Sequence, residues 1–552
     1  MNVHPEPRPA PAGRNRWARS LLALALAAGA AVPTAGTVAH AATAPTGEPS
    51  TFSLNVPAGA GGAELADGHQ GFSVESADFA HGFLTRDRMA GRLKTLGSDG
   101  VLRLGGYSMD LVWPAFGKWS RTSAPKEAIG GTVDQSDLDA LRKLVDATGW
   151  KVTLGLPLKA VIDPAKLKNP AQDPAPRVTL DQIVAEVEAA HRTLGDDLLS
   201  VEVGNEFDNV TTLSGGEMWD TMKQYEAAVR AAVPHAAIKV AGPSANTAAT
   251  NTKLDDVSRA MLADTSVDPQ KTVSELSSHL YPGSHCGTST MTVPQLMSSD
   301  SYVRTRTKLA GIKEIGDRFG GRIPMTINES NSASCSGQPG VSDSYATSLW
   351  SLDYLLQTAQ DGIDRVEFHT NTAALCGDFK PRNSADYPIS YRYYGAFCAA
   401  DQAQLDANGL AAAPLYYGLW AFSQVPRGRF VDLGLADTDL DKVRAYGIKG
   451  RDGSLTVVLL NVQDPSTAGT TADEVKLNLP ARYRTGRQVT MRSSATDGLG
   501  SPDASRITLG DRSVTAAGRA SGVPRSRPVP VGHLSATVRV TPGTAQIITF
   551  KR

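Results

Sequence analysis

Eight short apolar runs recur between residues 71 and 370, and helical stretches separate several of them. The runs are GFSVES (71–76), VLRLGG (101–106), KVTLGL (151–156), LSVEVGN (199–205), IKVAGP (238–243), LSSHLY (276–281), IPMTIN (323–328) and VEFHT (366–370). A short, nearly unbroken apolar run bounded by turn residues reads as a strand buried on both faces. Between them, LDALRKLVDATG (138–149) carries apolar residues at helical spacing and stops at a Gly. LDQIVAEVEAAHRTLG (180–195), MWDTMKQYEAAVRAAV (218–233) and SYATSLWSLDYLLQTAQDG (344–362) read as helices in the same way. Eight strands alternating with helices predict an α/β fold, a (β/α)8 TIM barrel over residues 71–420.

Past residue 420 the helical period fades. LTVVLLNV (455–462), EVKLNL (474–479), SATVRV (535–540) and QIITF (546–550) lie between Gly, Pro and Asp turns, and predict a C-terminal antiparallel β-sandwich over 421–552. Residues 42–70 read as a leader followed by TFSLNV (52–57), a strand expected to join that sandwich. The stretch 494–530, rich in Ser, Arg, Pro and Gly, is expected to be an exposed loop. With 41% hydrophobic and 20% charged residues the chain is globular rather than disordered. A formal net charge of −1 leaves no broad basic field for nucleic acid or a heavily sulfated polymer.

Residues 1–41 read as a secretory signal: Arg14, Arg16 and Arg19 precede the apolar run 21–32, and Ala39-His40-Ala41 fits a small-x-small cleavage pattern. The expectation is a secreted, extracellular protein, a monomer without membrane contact once the signal is removed. An even count of four cysteines then suggests two disulfides, with three possible connectivities. Cys286 with Cys335 is favoured because each lies shortly after a strand end on one barrel face. Cys376 with Cys398 would staple a single loop. The cysteine spacings fit no zinc motif, and neither metal nor cofactor is expected.

The fourth run ends at Asn205-Glu206 and the seventh at Asn328-Glu329. Barrel enzymes carry their chemistry at the C-terminal ends of strands, so both acids fall on that face. Two facing carboxyls are what glycosidic cleavage requires, one giving a proton to the leaving oxygen and the other attacking the anomeric carbon. Glu206, beside an amide that can orient a sugar hydroxyl, suits the proton donor; the plain alternative is a helix cap. Glu329 suits the nucleophile, with Tyr281 and Arg103 as candidate donors that keep it ionised. A core aromatic and a structural ion pair are their ordinary readings. His279, two residues before Tyr281, is a candidate to face the sugar.

Four segments resemble glycoside hydrolase family 79, the heparanase and β-glucuronidase family. GFSVES resembles its first strand, LRLGGYSMD (102–110) its R-[IL]-G-G-x-S-x-D segment, and VEVGNEFD (201–208) its acid/base motif. NESNSASCSGQPGVSDSYATSLWSLDYLL (328–356) resembles its nucleophile region, the most specific of the matches. The resemblance spans most of the mature chain. It implies Glu206 as acid/base and Glu329 as nucleophile, Asn205 contacting the sugar, and Glu75, Asp110 and Tyr281 lining the terminal-sugar pocket. It further implies backbone amides around Ser336 and Gly337 for a uronic carboxylate, with Tyr393 assisting. Phe207 stands where the family usually has Pro, and no basic cluster flanks the cleft. The expected substrate is therefore a carbohydrate ending in β-linked glucuronate. A neutral-sugar exo-β-glycosidase and a non-catalytic glycan-binding protein are the rival readings.

Overall fold

The computed structural model describes residues 49–85, 89–159, 161–169, 175–247, 250–370, 376, 379, 382, 393–407, 410–515 and 517–552. The signal segment expected at 1–41 lies outside them. Eight strands form a closed barrel: Gln70–Glu75 (β1), Val101–Gly105 (β2), Lys151–Leu156 (β3), Leu198–Val203 (β4), Val240–Asn246 (β5), Val273–His279 (β6), Met325–Ser330 (β7) and Arg365–Thr370 (β8). They follow sequence order around the barrel and every neighbouring pair is parallel. The eight apolar runs of the sequence are these eight strands. Helices pack outside, and one of them shows its local cause plainly. In Gln135–Thr148, Asp134 accepts from Ser136 N, Asp137 accepts from Asp134 N, and Gly149 stops the helix at φ 77°. Its buried face is Leu138, Leu141, Leu144 and Val145.

The companion domain is two packed sheets. Its large sheet runs Glu64–Leu65, Gly428–Val431, Val443–Lys449, Leu455–Asn461, Thr544–Lys551, Thr485–Ser493, Ile507–Leu509, with Arg527–Val529 pairing beside Thr485–Ser493. The small sheet holds Thr51–Asn55, Asp473–Asn478 and Ser535–Val540, so the chain's first described strand lies in the last domain. The large sheet is covered on both faces. Val457 and Leu459 join the sandwich core with Val475 and Val538, while Val458 and Leu460 join the barrel's own core. That double burial explains why LTVVLL is apolar without alternation.

The stretch 494–530 departs from the expected exposed loop. It contains the strand Ile507–Leu509, and Leu499, Ile507 and Leu509 are buried in the core shared with the barrel. Ser501 O accepts from Tyr345 N at 2.7 Å, tying the segment to the start of helix Ala346–Gln360. A few apolar anchors are enough to seat a polar, glycine-rich segment, and average composition hides them. The seam is also fastened by charge: buried Arg444 pairs with buried Asp353 of that helix, and Tyr446 donates to Asp353 Oδ1 at 2.7 Å. Among the described residues, no helix is long and apolar enough to cross a membrane.

Candidate active site

Barrel interiors are filled by layers of side chains, usually branched aliphatic ones. Here the layer nearest the C-terminal mouth is charged. Arg103 of β2 is fully buried and spends its donors on four partners. Nε donates to Glu202 Oε2 at 2.8 Å, Nη1 to Ser73 Oγ at 2.8 Å and to Glu329 Oε2 at 2.9 Å, and Nη2 to Asn205 Oδ1 at 2.7 Å. The glycines of LRLGG make room for this. A Cβ on Gly105 would lie 3.0 Å from the guanidinium carbon, and one on Gly106, which adopts φ 69°, would lie 2.7 Å from the Glu75 carboxyl.

Glu329 projects from β7 and is 8% exposed. Besides Arg103, it accepts from the Tyr281 hydroxyl at 2.9 Å, and His279 and His369 stand 3.7 and 3.8 Å away. Burial pushes this carboxyl up, but His279, His369, Arg103 and the Tyr281 bond together hold it well below the usual carboxylate range. An ionised, desolvated carboxylate is what a nucleophile needs. Asn328, the residue before it, also reaches the interior and donates to Glu202 Oε2 at 2.9 Å. Consecutive residues of a regular strand face opposite ways. The ladder is irregular at this point, with register shifts between Ser278 and His279 and between Ile327 and Ser330.

Glu206 lies just beyond β4. Gly204 and Glu206 take left-handed backbone, φ 73° and 45°, which turns the acid back over the barrel mouth. Its Oε1 meets His279 Nδ1 at 2.9 Å and its Oε2 accepts from Asn209 Nδ2 at 2.6 Å. Its side chain is 22% exposed against 11% for Glu329. Glu206, His279 and Glu329 each offer an atom within 4.8 Å of the others. A cation could span that spacing, yet both Glu329 oxygens already accept from Arg103 and Tyr281, and both Glu206 oxygens face His279 and Asn209. Carboxyl groups about 5–5.5 Å apart characterise retaining glycosidases, against about 6.5–9.5 Å for inverting ones. Here one oxygen of each carboxyl lies within 4.8 Å of the other.

The other expected residues fall around this pair in different ways. Glu75 ends β1 with its carboxyl held by Ser108 N at 2.8 Å and by the Ser108 hydroxyl, 3.4 Å from His369 Nε2. Burial raises it, and His369 and Ser108 outweigh that, leaving it below its ordinary value. Asp110 is buried and accepts from Leu158 N and Lys159 N, both at 2.7 Å, so it braces the loop after β3. Ser336 and Gly337 follow Cys335 in a turn where all three residues have positive φ, 58°, 71° and 81°. Cys335 is bonded to Cys286, and Cys376 to Cys398. Tyr393 is half-buried, whereas its neighbour Tyr394 is buried, packs edge-on to His369 at 5.6 Å and feels the charges of Glu329 and Glu75.

Sequence reasoning passed over Glu202, His369, Tyr394 and Asn209. Two of them had a signal: VEV and VEFHT each place a charged or titratable residue inside an apolar strand, as LRL does for Arg103. Nothing in YRYYG distinguishes Tyr394 from Tyr393.

No protein-family model matches the chain. It is 24% identical over 223 residues to a beta-glucuronidase of Aspergillus niger, covering 39% of this chain and 37% of that one. It is 32% identical over 79 residues to a beta-glucuronidase of Neurospora crassa, 14% of each. The chain thus matches well under half the length of these curated relatives. Among solved structures it resembles a 4-O-alpha-L-rhamnosyl-beta-D-glucuronidase of Fusarium oxysporum 12S, with TM-score 0.67 and 19% identity over 90% of this chain and 100% of that one. A GH51 arabinofuranosidase of Xanthomonas axonopodis pv. citri follows at TM-score 0.58 and 12% identity over 91% of this chain and 100% of that one. The similarity is to glycoside hydrolases. At these identities the structural likeness speaks for the fold, a barrel with a companion sheet domain.

Proposed function

We propose that the chain is a secreted retaining β-glucuronidase of the family 79 type, releasing terminal β-linked glucuronic acid. The observation that carries this reading is the unequal pair at the barrel mouth. Glu329 is buried and held ionised by His279, His369, Arg103 and Tyr281, while Glu206 faces it from a more open position. Glu329 attacks the anomeric carbon as the bond to the leaving oxygen breaks, and Glu206 gives that oxygen its proton. Water then attacks the same carbon, Glu206 takes the water's proton, and the ester to Glu329 breaks. Two inversions return the original configuration. The glucuronate preference draws support from the beta-glucuronidase relatives and from the left-handed turn Cys335–Gly337, where the Ser336 N–H already meets the Tyr394 hydroxyl, a polar corner suited to a carboxylate.

The test is hydrolysis of nitrophenyl β-glucuronide beside the matching β-glucoside, with Glu206→Ala and Glu329→Ala. Turnover of the glucuronide alone, lost in both variants, is expected. Turnover of the glucoside alone would move the substrate to neutral sugars. Binding of glycans with no turnover of either would remove the enzymatic reading.

A further inference from the structure

We infer that Asn209 is a positioning residue for the acid/base step, acting through Glu206. This rests on the retaining mechanism proposed above. Glu206 is held in a left-handed conformation that a residue with a side chain adopts only at a cost. The short helix Phe207–Val210 keeps it there. Asn209 N and Val210 N donate to Glu206 O at 2.8 and 3.2 Å, and Asn209 Nδ2 donates to Glu206 Oε2 at 2.6 Å. The helix is itself anchored, with the Phe207 ring fully buried and Asp208 Oδ1 accepting from Asn246 N of β5 at 3.0 Å.

The other hydrogen-bonding partners of the two carboxylates, Arg103, Tyr281 and His279, are all buried. Asn209 is exposed, and it reaches Glu206 Oε2 from the solvent side. An amide N–H can only donate, so Glu206 Oε2 is fixed as an acceptor and the acidic proton is directed to the remaining lone pairs. As Glu206 gives up that proton, negative charge grows on its carboxyl. A bond donated to a carboxylate is stronger than one donated to a neutral acid. The contribution of Asn209 therefore grows with the extent of proton transfer, which in turn grows with the basicity of the leaving group.

The experiment compares wild type, Asn209→Ala and Asn209→Asp on a series of aryl and alkyl β-glucuronides, from dinitrophenyl to methyl, with melting temperature as the check on folding. For Asn209→Ala a fall in kcat/KM of about tenfold or more is expected on the alkyl glycoside, shrinking to little or nothing on the dinitrophenyl one. Asn209→Asp places a like charge beside Glu206, which makes its proton harder to lose and moves the alkaline limb of kcat/KM to higher pH. An equal loss across the whole series, with an unmoved pH limb, would overturn the inference and leave Asn209 a packing residue. If wild type cleaves glucosides instead of glucuronides, the same series made on glucose decides Asn209 separately from the sugar assignment. Cleavage of no glycoside by wild type overturns both.

Discussion

Arg103 and Arg444 are both fully buried, and only Arg103 stands at the candidate reaction site. Arg444, at the seam between barrel and sandwich, meets Asp353, the Met297 carbonyl and, through Asp353, the Tyr446 hydroxyl. One cation faces one carboxylate, both about as buried as side chains can be, 2% and 3% exposed. Arg103, at the barrel mouth, meets two carboxylates, Glu202 and Glu329, with Glu75 and Glu206 beyond. Carboxylates there outnumber arginines, the balance falls to His279 and His369, and Glu206 stays open at the edge. A closed pair with its hydrogen bonds satisfied is a fastener. An excess of carboxylates around one fixed cation holds one of them, Glu329, ionised and leaves another, Glu206, at the open edge.

The sharpest break in this comparison is Glu329→Gln. It removes charge and nucleophilicity but little volume, so kcat on an aryl glycoside should fall by about four orders of magnitude or more. The melting temperature should stay within a few degrees of wild type. A variant that keeps near-native turnover would show that Glu329 is not the nucleophile. Arg103→Met comes next and should lose on both counts. It strands Glu202 and Glu329 without their cation, which costs about 3–5 kcal/mol when a buried pair is broken from one side. Activity should fall with it, because the Glu329 carboxyl loses one of the charges that hold it ionised.

Arg444→Met sharpens the contrast from the other side. The stability cost should be of the same order, about 3–5 kcal/mol by the same reasoning, while kcat of the folded fraction stays within about twofold, because among the described residues the seam shares no partner with the catalytic pair. Adding Asp353→Leu should recover much of the lost stability, since replacing both members of a buried pair by apolar groups is often neutral or stabilising. Thermal melts and active-site-normalised rates separate these outcomes. A large fall in kcat on replacing Arg444 would mean that the sandwich communicates with the site.

Much of this architecture is legible in the sequence, and the gaps have physical causes. All eight barrel strands could be read because parallel strands buried on both faces leave nearly unbroken apolar runs. LTVVLLNV was legible as a strand for the same reason, although its second buried face, against the barrel, was not. Glu206 and Glu329 stood out because an acid closing an apolar run has few structural uses. Glu202 and His369 carried the same kind of signal inside their runs. Asn209 carried none: its role depends on a left-handed turn at Glu206 that no local pattern announces. The segment 494–530 misled because polar, glycine-rich composition describes its average and not Leu499, Ile507 and Leu509.

A buried carboxyl away from either arginine supplies the control. Glu186, on helix Leu180–Leu194, is 5% exposed, lies among Leu104, Met109 and Leu154, and is pushed up to about 8 from an ordinary 4.5 by burial alone. Its sign is opposite to that of Glu329. Glu329 is depressed, so the stability it confers is present above the unfolded carboxylate value and is lost as pH falls toward its folded one. Glu186 is raised, so the folded state loses ground between about pH 4.5, where the unfolded carboxyl ionises, and pH 8, where the folded one does. At about 1.4 kcal/mol per unit, that amounts to a few kcal/mol at most. Glu186→Gln keeps the shape and never ionises. Its melting temperature should match wild type near pH 4 and exceed it by a margin that opens up to pH 8. An equal difference at both ends would mean that Glu186 finds a counter-charge or water, and that a buried carboxyl here does not depend on an arginine to remain ionised.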